Sequence, residues 1–324
     1  MNDKLILVIM PNHELYCLNM YHDFLERLPL FHVNTRIYGS GYETKELPFI
    51  RSYSSSKDIH DIIKQDLDGQ EPDIVFIMDA NFGRSDFSGL KSRVYAFISD
   101  SVVTNGAYVN MIRGHNFQCR GVFHNYLYRE DLLEGAFATN RKFYWPCWAS
   151  SKYDYARYDT PKDIDFYMSG TMTSEYAYRQ IFSGLFRELG LNSIDTFHIG
   201  TPRLSDPKAD NEKYCGLLAR SRYSPHDGGV NGRMQGRFYE SSYMRSVIIA
   251  PDLGEEMRRN GFVHGINSVL FDRRMPIYQV KNMLRNMSQT YDWTSLSNNA
   301  YDLIKNHHTT DHRIKYFLDV VLNG

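Results

Sequence analysis

The stretch KDIDFYMSGTMTSEYAYRQIFSGLFRELG, residues 162–190, decides the fold class. An apolar run comes first and ends in a turn of small residues, and apolar side chains then recur every three or four positions as far as Gly190. This order predicts a buried strand, a tight turn and an amphipathic helix that the glycine ends. Strand, turn and helix together form the repeating unit of a parallel sheet covered by helices.

The same alternation recurs along the rest of the chain. Short runs of apolar, β-branched and aromatic residues that end in polar or small ones predict buried strands. These runs are KLILVIMPNHE (4–14), PDIVFIMDANFG (72–83), RVYAFISDS (93–101), GVFHNY (121–126), SIDTFHIGTPR (193–203) and RSVIIAPD (245–252). Apolar residues at helical spacing predict further helices at YHDFLERL (21–28), SKDIHDIIKQDL (56–67) and, as one long helix, residues 295–322.

The length of 324 residues favours two domains. We predict an α/β protein of two Rossmann-like doubly wound domains that face a cleft, one formed by residues 1–150 and the other by residues 151–324. The polar, proline-bearing segment 149–163 is the predicted linker. The terminal helix is expected to pack either within the C-terminal domain or back on the N-terminal domain.

The composition limits the compartment and the partners. The formal net charge of −1 gives no overall field that would attract nucleic acid. The four cysteines, Cys17, Cys119, Cys147 and Cys215, form no CxxC pair, which argues against a zinc site and against a disulfide framework. The N-terminal apolar run of six residues is too short for a signal peptide or a membrane span. We therefore expect a cytoplasmic protein with no membrane span and no metal.

In doubly wound sheets, ligands bind beyond the carboxyl ends of the strands. In the first half of the chain this rule selects His13, Glu14, Asp79, Asp100 and His124. In the second half it selects Gly170 with Thr171, Gly200 and Asp252.

Positive charge and glycine are concentrated around NGRMQGRFYESSYMRSVIIAPD, residues 231–252. Five arginines lie between residues 220 and 245, namely Arg220, Arg222, Arg233, Arg237 and Arg245, against the acids Asp227 and Glu240. Guanidinium groups bind phosphate oxygens in pairs, and the helix start that follows SGTM offers free N–H groups to an anion. Two interpretations stay open: a solvated loop with surface arginines, or the wall of a diphosphate site in which a carboxylate binds the ribose diol.

Four segments carry a resemblance to a known family, in the order KDIDFYMSGTMTSEYAYR (162–179), YCGLLARSRYSP (214–225), GRMQGRFYESSYMRSVIIAPD (232–252) and KNHHTTDHRIKYFL (305–318). They resemble the glycosyltransferase family 1 domain of the CgeB-like spore maturation proteins, a branch of the GT-B superfamily. The resemblance covers about residues 160–320. It implies a nucleotide-diphosphate sugar as donor substrate, held by the C-terminal domain, and no further cofactor.

The resemblance also implies a role for individual residues. Gly170 and Arg179 would lie in the donor loop and its helix, with Thr171 beside them. Arg233 and Arg237 would face the diphosphate, and Glu240 the ribose. The sequence departs from the family at two positions. Gly232 stands where many retaining members have a first glutamate, and Arg245 stands where the pattern has a small residue. The sugar and the stereochemistry therefore stay open.

The implied activity is that of a hexosyl- or pentosyltransferase acting on an acceptor hydroxyl. An inverting reaction needs a base from the N-terminal, acceptor-side domain, and the candidates are Asp100 first, followed by His13, Glu14 and Asp79. The alternative function is a non-catalytic carbohydrate-binding or coat-associated protein on the same scaffold.

The acceptor is either a glycan or protein, or a hydroxymethylated DNA base. Basic residues of the N-terminal half would track the phosphate backbone of DNA, and these are Arg84, Lys91, Arg93, Arg113, Arg120 and Arg129.

Overall fold

The computed structural model describes residues 3–10, 19–40, 51–53, 58–78, 87, 89–98, 119–125, 141–158, 160–171, 176–198, 207–228 and 233–324. The chain divides into two compact units. The first unit joins Met1–Pro146 to Thr310–Gly324, and the second unit is Cys147–Thr309. The first unit is thus built from both ends of the sequence, and the second from one continuous segment.

A parallel sheet forms the centre of the first unit. Within the described residues it has seven strands in the order β3-β2-β1-β4-β5-β6-β7. The strands are β1 (Ile6–Met10), β2 (Thr35–Ser40), β3 (Arg51–Tyr53), β4 (Ile74–Met78), β5 (Arg93–Ile98), β6 (Cys119–His124) and β7 (Arg141–Tyr144). Helices α1 (Asn19–Phe31) and α2 (Ile59–Asp66) alternate with them. Strands β1 and β4 are buried at every position, as expected for apolar runs in the middle of a parallel sheet.

Aromatic side chains fill one core of the first unit. Trp145 is fully buried and its ring packs edge-on against Phe24, Phe97 and Phe123, at centroid distances of 5.1, 5.0 and 5.4 Å. Edge-to-face packing of this kind adds roughly 0.5–1.5 kcal/mol per pair to the burial of the rings.

The second unit has a five-stranded parallel sheet within the described residues, in the order β12-β11-β10-β8-β9. Its strands are β8 (Ile164–Thr171), β9 (Ser193–His198), β10 (Ser221–Pro225), β11 (Val247–Pro251) and β12 (Ser268–Phe271). Its helices are α3 (Ala177–Leu189), α4 (Pro207–Arg220), α5 (Gly236–Tyr243), α6 (Glu255–Arg259), α7 (Ile277–Arg285), α8 (Met287–Thr290) and α9 (Trp293–His307). Within residues 162–190, β8 is the predicted strand and α3 the predicted helix, while residues 172–175 between them lie outside the described residues. Gly190 ends α3 in the left-handed region at φ 62°.

Lys162, immediately before β8, fixes the ends of two helices. Its Nζ donates to the carbonyl oxygens of Ser221 at 2.9 Å, Met244 at 2.8 Å and Leu218 at 3.4 Å. The carbonyls at a helix C-terminus have no partner within the helix, so the Lys162 side chain bonds groups at the ends of both α4 and α5. Burial, with a smaller contribution from Arg245, lowers the pKa of Lys162 to about 6.

Arg245 follows α5 in a left-handed conformation at φ 54°. Its guanidinium lies 5.4 Å from the ring centroid of Tyr155 and 4.8 Å from that of Tyr301, and its Nη1 donates to Asn298 Oδ1 at 3.0 Å. Of the small residues that the family pattern has here, glycine would adopt this left-handed conformation without strain. In this chain the arginine side chain instead connects three segments of the second unit.

The long helix predicted for residues 295–322 is wrong, because two helices occupy this region. Helix α9 ends at His307, and α10 (Thr310–Asn323) belongs to the first unit. His308 Nε2 hydrogen-bonds to the carbonyl of Asn260 at 3.0 Å, which holds the end of α9 in the second unit. The break lets α10 pack into the other core, where Phe317 lies 4.5 Å from Phe76 between ring centroids. Within the described part of the chain, no helix is long and apolar enough to span a membrane.

Candidate functional site

Two guanidinium groups converge on Gly170, near the carboxyl end of β8. The glycine has a φ of 119°, a region that side-chain-bearing residues rarely adopt. A Cβ atom at this position would lie less than 3.0 Å from Nη1 of Arg237 and from Nη1 of Arg179. Only a residue without a side chain allows both cations to approach the strand this closely.

Arg237 reaches Gly170 from the first turn of α5. Its Nη1 donates to the carbonyl oxygen of Ser169 at 2.5 Å, and its side chain is half-buried. A guanidinium has five N–H donors, so this single bond orients the group and leaves further donors for a ligand.

Arg179 reaches the same glycine from the first turn of α3. Its Nε lies 3.0 Å from Asp227 Oδ2 in a salt bridge, and its Nη2 donates to Asp227 Oδ1 at 3.4 Å. The guanidinium also lies 4.0 Å from the ring centroid of Tyr176. Burial lowers the pKa of Arg179, while the charge of Asp227 opposes this change. Asp227 thus fixes one edge of the guanidinium and directs the remaining Nη1 towards Gly170.

A neutral histidine connects α5 to the sheet beneath this site. His226 follows β10, and its Nε2 lies 3.3 Å from Ser224 Oγ and 3.1 Å from Ser241 Oγ. Burial lowers the pKa of His226 well below its usual value, and the charges of Arg237 and Arg179 lower it further. The imidazole is therefore uncharged at neutral pH and acts as a hydrogen-bonding link.

Glu240 lies one turn after Arg237 on α5. Its Oε2 accepts a hydrogen bond from the hydroxyl of Tyr214, on α4, at 3.0 Å. Burial raises the pKa of Glu240 to about 7, whereas Arg237 and the Tyr214 hydrogen bond lower it. A carboxylate is thus held beside the arginine that contacts the end of β8.

Arg233, which was expected to face the diphosphate with Arg237, has other contacts. It is buried, and its backbone N–H donates to the carbonyl of Gly228. Its charge lowers the pKa of Glu256, which burial raises to about 8. The backbone N–H of Met234 also donates to the Glu256 carboxyl. Arg233 and Glu256 therefore anchor the chain that leads into α5.

The remaining arginines of the predicted cluster are dispersed. Arg220 and Arg222 form exposed salt bridges with Asp163 and Asp165, the latter at 3.1 Å. Arg245 supports the linker segment and α9, as described above. Of the five arginines, Arg237 is the one placed at Gly170. The sequence did not indicate which groups orient the site residues. Asp227, the partner of Arg179, was noted only because it lies close to the arginine cluster along the chain. Tyr214, the partner of Glu240, lies 26 positions before it.

Several predicted site residues lie outside the described residues: His13, Glu14, Asp79, Asp100 and Gly200. Thr171 ends β8, and its side chain is not among those described. His124 ends β6, where it is buried and packs against Tyr144. Asp252 follows β11, and its Oδ1 accepts from the backbone N–H of Gly254 at 2.7 Å. In the described ranges, no group of three or more His, Cys, Asp or Glu side chains is placed to hold a metal ion.

The arrangement at Gly170 fits an anion bound by the second unit. Helix α3 begins here with no acidic residue in its first turn, so the positive end of its dipole is not neutralised by its own side chains. Two guanidinium groups add donors that match pairs of phosphate oxygens. The carboxylate of Glu240 adds acceptor oxygens on the same side as Arg237.

Solved structures match the whole chain. Sucrose-phosphate synthase from Thermosynechococcus elongatus superposes with a TM-score of 0.67 at 9% identity, over 99% of both chains. A glycosyltransferase from Rickettsia africae superposes with a TM-score of 0.65 at 11% identity, over 99% of this chain and 98% of the other chain. HepE from Anabaena, solved with UDP and glucose, superposes with a TM-score of 0.65 at 10% identity, over 99% of this chain and 100% of the HepE chain.

These structures are glycosyltransferases of the GT-B fold, so the chain has that fold, with two Rossmann-like α/β domains. No model of a known protein family matches the chain, and no curated protein matches it.

Proposed function

We propose that the protein is a glycosyltransferase that binds a nucleoside-diphosphate sugar in its second unit and transfers the sugar to an acceptor hydroxyl. The observation that carries this proposal is the convergence of Arg179 and Arg237 on Gly170 at the start of α3. Solved structures of the same fold support it, because HepE was crystallised with UDP and with UDP-glucose.

The chemistry follows from where charge develops. When the bond between the anomeric carbon and the diphosphate breaks, negative charge grows on the leaving phosphate. Donors that are already oriented stabilise this charge without reorganising. Asp227 and the Ser169 carbonyl hold the two guanidinium groups in place before the donor arrives. We assign Glu240 to the ribose of the donor, and Gly170 and Thr171 to the backbone on which the phosphates lie.

We propose a glycan or protein as acceptor in preference to DNA. Lys91 and Arg93 lie at the amino end of β5, and Arg120 lies at the amino end of β6. In a parallel sheet this edge is opposite the carboxyl edge where ligands bind. Arg120 also donates to the carbonyl of Gly324. These three side chains are therefore poorly placed to guide a DNA strand to the reaction.

A thermal-shift panel tests the proposal. ADP, CDP, GDP, TDP and UDP would each be added at millimolar concentration, followed by the sugar derivatives of the nucleotide that binds. A ligand at about 100 times its dissociation constant stabilises the folded state by roughly 2.7 kcal/mol, so a true donor raises the melting temperature by several degrees. If no nucleoside diphosphate raises it, the proposed donor site is refuted.

Turnover separates an enzyme from a binding protein on the same scaffold. We expect slow release of the nucleoside diphosphate from the matching sugar donor when water is the acceptor. If the donor binds but is not cleaved, either in water or with any of the sugars tested as acceptors, the result would favour the non-catalytic function. Hydroxymethylated duplex DNA serves as the competing acceptor, and salt-dependent binding to it would contradict the acceptor proposed above.

A further inference from the structure

The hydroxyl group of Tyr214 makes a contact that the proposed function does not yet explain. Tyr214 lies on α4, and its hydroxyl donates to Glu240 Oε2 on α5 at 3.0 Å. The two residues thus connect neighbouring helices whose C-terminal carbonyls are both held by Lys162. The distance between these helices is fixed independently of Tyr214, so its hydroxyl meets the carboxylate at a defined position.

Two further tyrosines hold the ring of Tyr214. The ring centroids of Tyr153 and Tyr167 each lie 6.0 Å from that of Tyr214. Their hydroxyls bond elsewhere, that of Tyr153 to Asn211 Oδ1 at 3.0 Å and that of Tyr167 to Thr196 Oγ1 at 2.8 Å. The three tyrosines pack together but differ in function, since the hydroxyl of Tyr214 is the one in this cluster that reaches Glu240.

We propose that Tyr214 is a positioning residue, which holds the Glu240 side chain in one rotamer so that its carboxylate accepts hydrogen bonds from the ribose diol of the donor. This inference rests on the proposed function, because it assigns Glu240 to the nucleotide. An unrestrained glutamate side chain loses rotamer freedom when it becomes fixed on binding a ligand. Fixing it in the free protein removes that loss from the binding step.

The charged and titratable groups around Glu240 define what Tyr214 changes. Arg237 faces it from α5, Tyr214 and Cys215 from α4, and Lys152 lies near Cys215 in the turn of residues 151–153. Burial and the charge of Glu240 raise the pKa of Tyr214 well above its usual value, so the hydroxyl keeps its proton and donates. Since this donation lowers the pKa of Glu240, removal of the hydroxyl should raise that pKa.

The test compares Tyr214→Phe with Tyr153→Phe as a matched control. Both variants keep an aromatic ring in the cluster, and only the first removes the bond to Glu240. The pKa of Glu240 would be measured in the nucleotide-free protein by carbon-13 NMR of labelled glutamate carboxyls, with Glu240→Gln to assign the signal. We expect a higher Glu240 pKa in Tyr214→Phe and an unchanged one in Tyr153→Phe.

The second readout is the dissociation constant of UDP between pH 5.5 and 8.5, measured by titration calorimetry. At pH 7 we expect Tyr214→Phe to bind UDP about 3–10-fold more weakly than the unmodified protein, with a difference that narrows at pH 8.5. A loss of UDP affinity in Tyr153→Phe as large as that in Tyr214→Phe would indicate a merely structural role of the tyrosine cluster and overturn the inference.

The two readouts separate the inference from the proposed function. If the unmodified protein binds neither UDP nor any other nucleoside diphosphate, the proposed function fails. The NMR measurement decides the action of Tyr214 on Glu240 in either case, because it needs no nucleotide. An unchanged Glu240 pKa in Tyr214→Phe overturns the inference whether or not UDP binds.

Discussion

Replacing Gly170 with alanine is the sharpest perturbation of the candidate site. The new methyl carbon would lie less than 3.0 Å from Nη1 of both Arg179 and Arg237, so at least one guanidinium must leave its position. The backbone φ of 119° adds strain of roughly 1–3 kcal/mol for a residue with a side chain. Loss of one hydrogen bond to a charged group costs about 1.5–3 kcal/mol more, which corresponds to a 10- to 150-fold weaker hold on a phosphate.

Gly184→Ala is the matched control. Gly184 lies within α3, and among the described atoms nothing comes within 4 Å of a Cβ built there. Alanine at an exposed helix position stabilises by roughly 0.5–1 kcal/mol relative to glycine. The same chemical change should therefore raise the melting temperature at residue 184 and lower it at residue 170.

Differential scanning fluorimetry gives the stability of both variants, and calorimetric titration with UDP gives the affinity. We expect Gly170→Ala to melt about 2–10 °C below the unmodified protein and to bind UDP at least tenfold more weakly. If Gly170→Ala matches Gly184→Ala in both measurements, the two arginines do not converge on this glycine as described, and the donor site must lie elsewhere.

Three further outcomes follow from the structure. Arg237→Lys should weaken UDP binding about 10- to 100-fold, because an ammonium cannot form the paired hydrogen bonds of a guanidinium to two phosphate oxygens. The control Arg222→Lys, at an exposed salt bridge, should bind UDP as the unmodified protein does. Equal UDP affinities of the two variants would contradict the phosphate role of Arg237. In urea unfolding, Arg245→Gly should be about 1 kcal/mol more stable than Arg245→Ala. Both variants lose the contacts of the arginine, and only glycine relieves the strain of the left-handed backbone conformation. Equal stability of the two variants would argue against strain at this position. Burial raises the pKa of Glu256 from 4.5 to about 8 in the folded state, so the protein should lose up to ~4 kcal/mol of stability from this group as pH rises from 4.5 to 8. In thermal melts between pH 5.5 and 8.5, Glu256→Gln should reduce this dependence of the melting temperature on pH. An unaltered pH dependence would show that Glu256 is not its cause.

Strands whose own residues form a continuous apolar run could be predicted from sequence, because that composition is typical of strands buried on both faces. The run LILVIM contains β1, and VIIAP is β11 from end to end. Strands β7 (RKFY) and β10 (SRYSP) lack such a run and were not predicted. The first is one of the two edge strands of its sheet in the described residues, and the second is buried by neighbours on either side rather than through its own composition.

The site was only partly predictable, for a geometric reason. Five arginines that lie close together in sequence point to different places, because a strand, a loop and a helix divide the segment between residues 220 and 245. Arg237 could be selected from the family pattern, and Arg179 by its position at a helix start. The groups that orient them come from other elements, as Asp227 and Tyr214 do, and no local pattern connects those positions.

The composite origin of the first unit has a consequence for biosynthesis. Cys147–Thr309 is one uninterrupted segment, so on the ribosome it can fold as soon as it has emerged. The preceding unit cannot, because Phe317 of its last helix packs against Phe24 and Phe76, which are translated long before. The core of the N-terminal half therefore stays incomplete, with part of its aromatic surface exposed, until residues 310–324 have been translated.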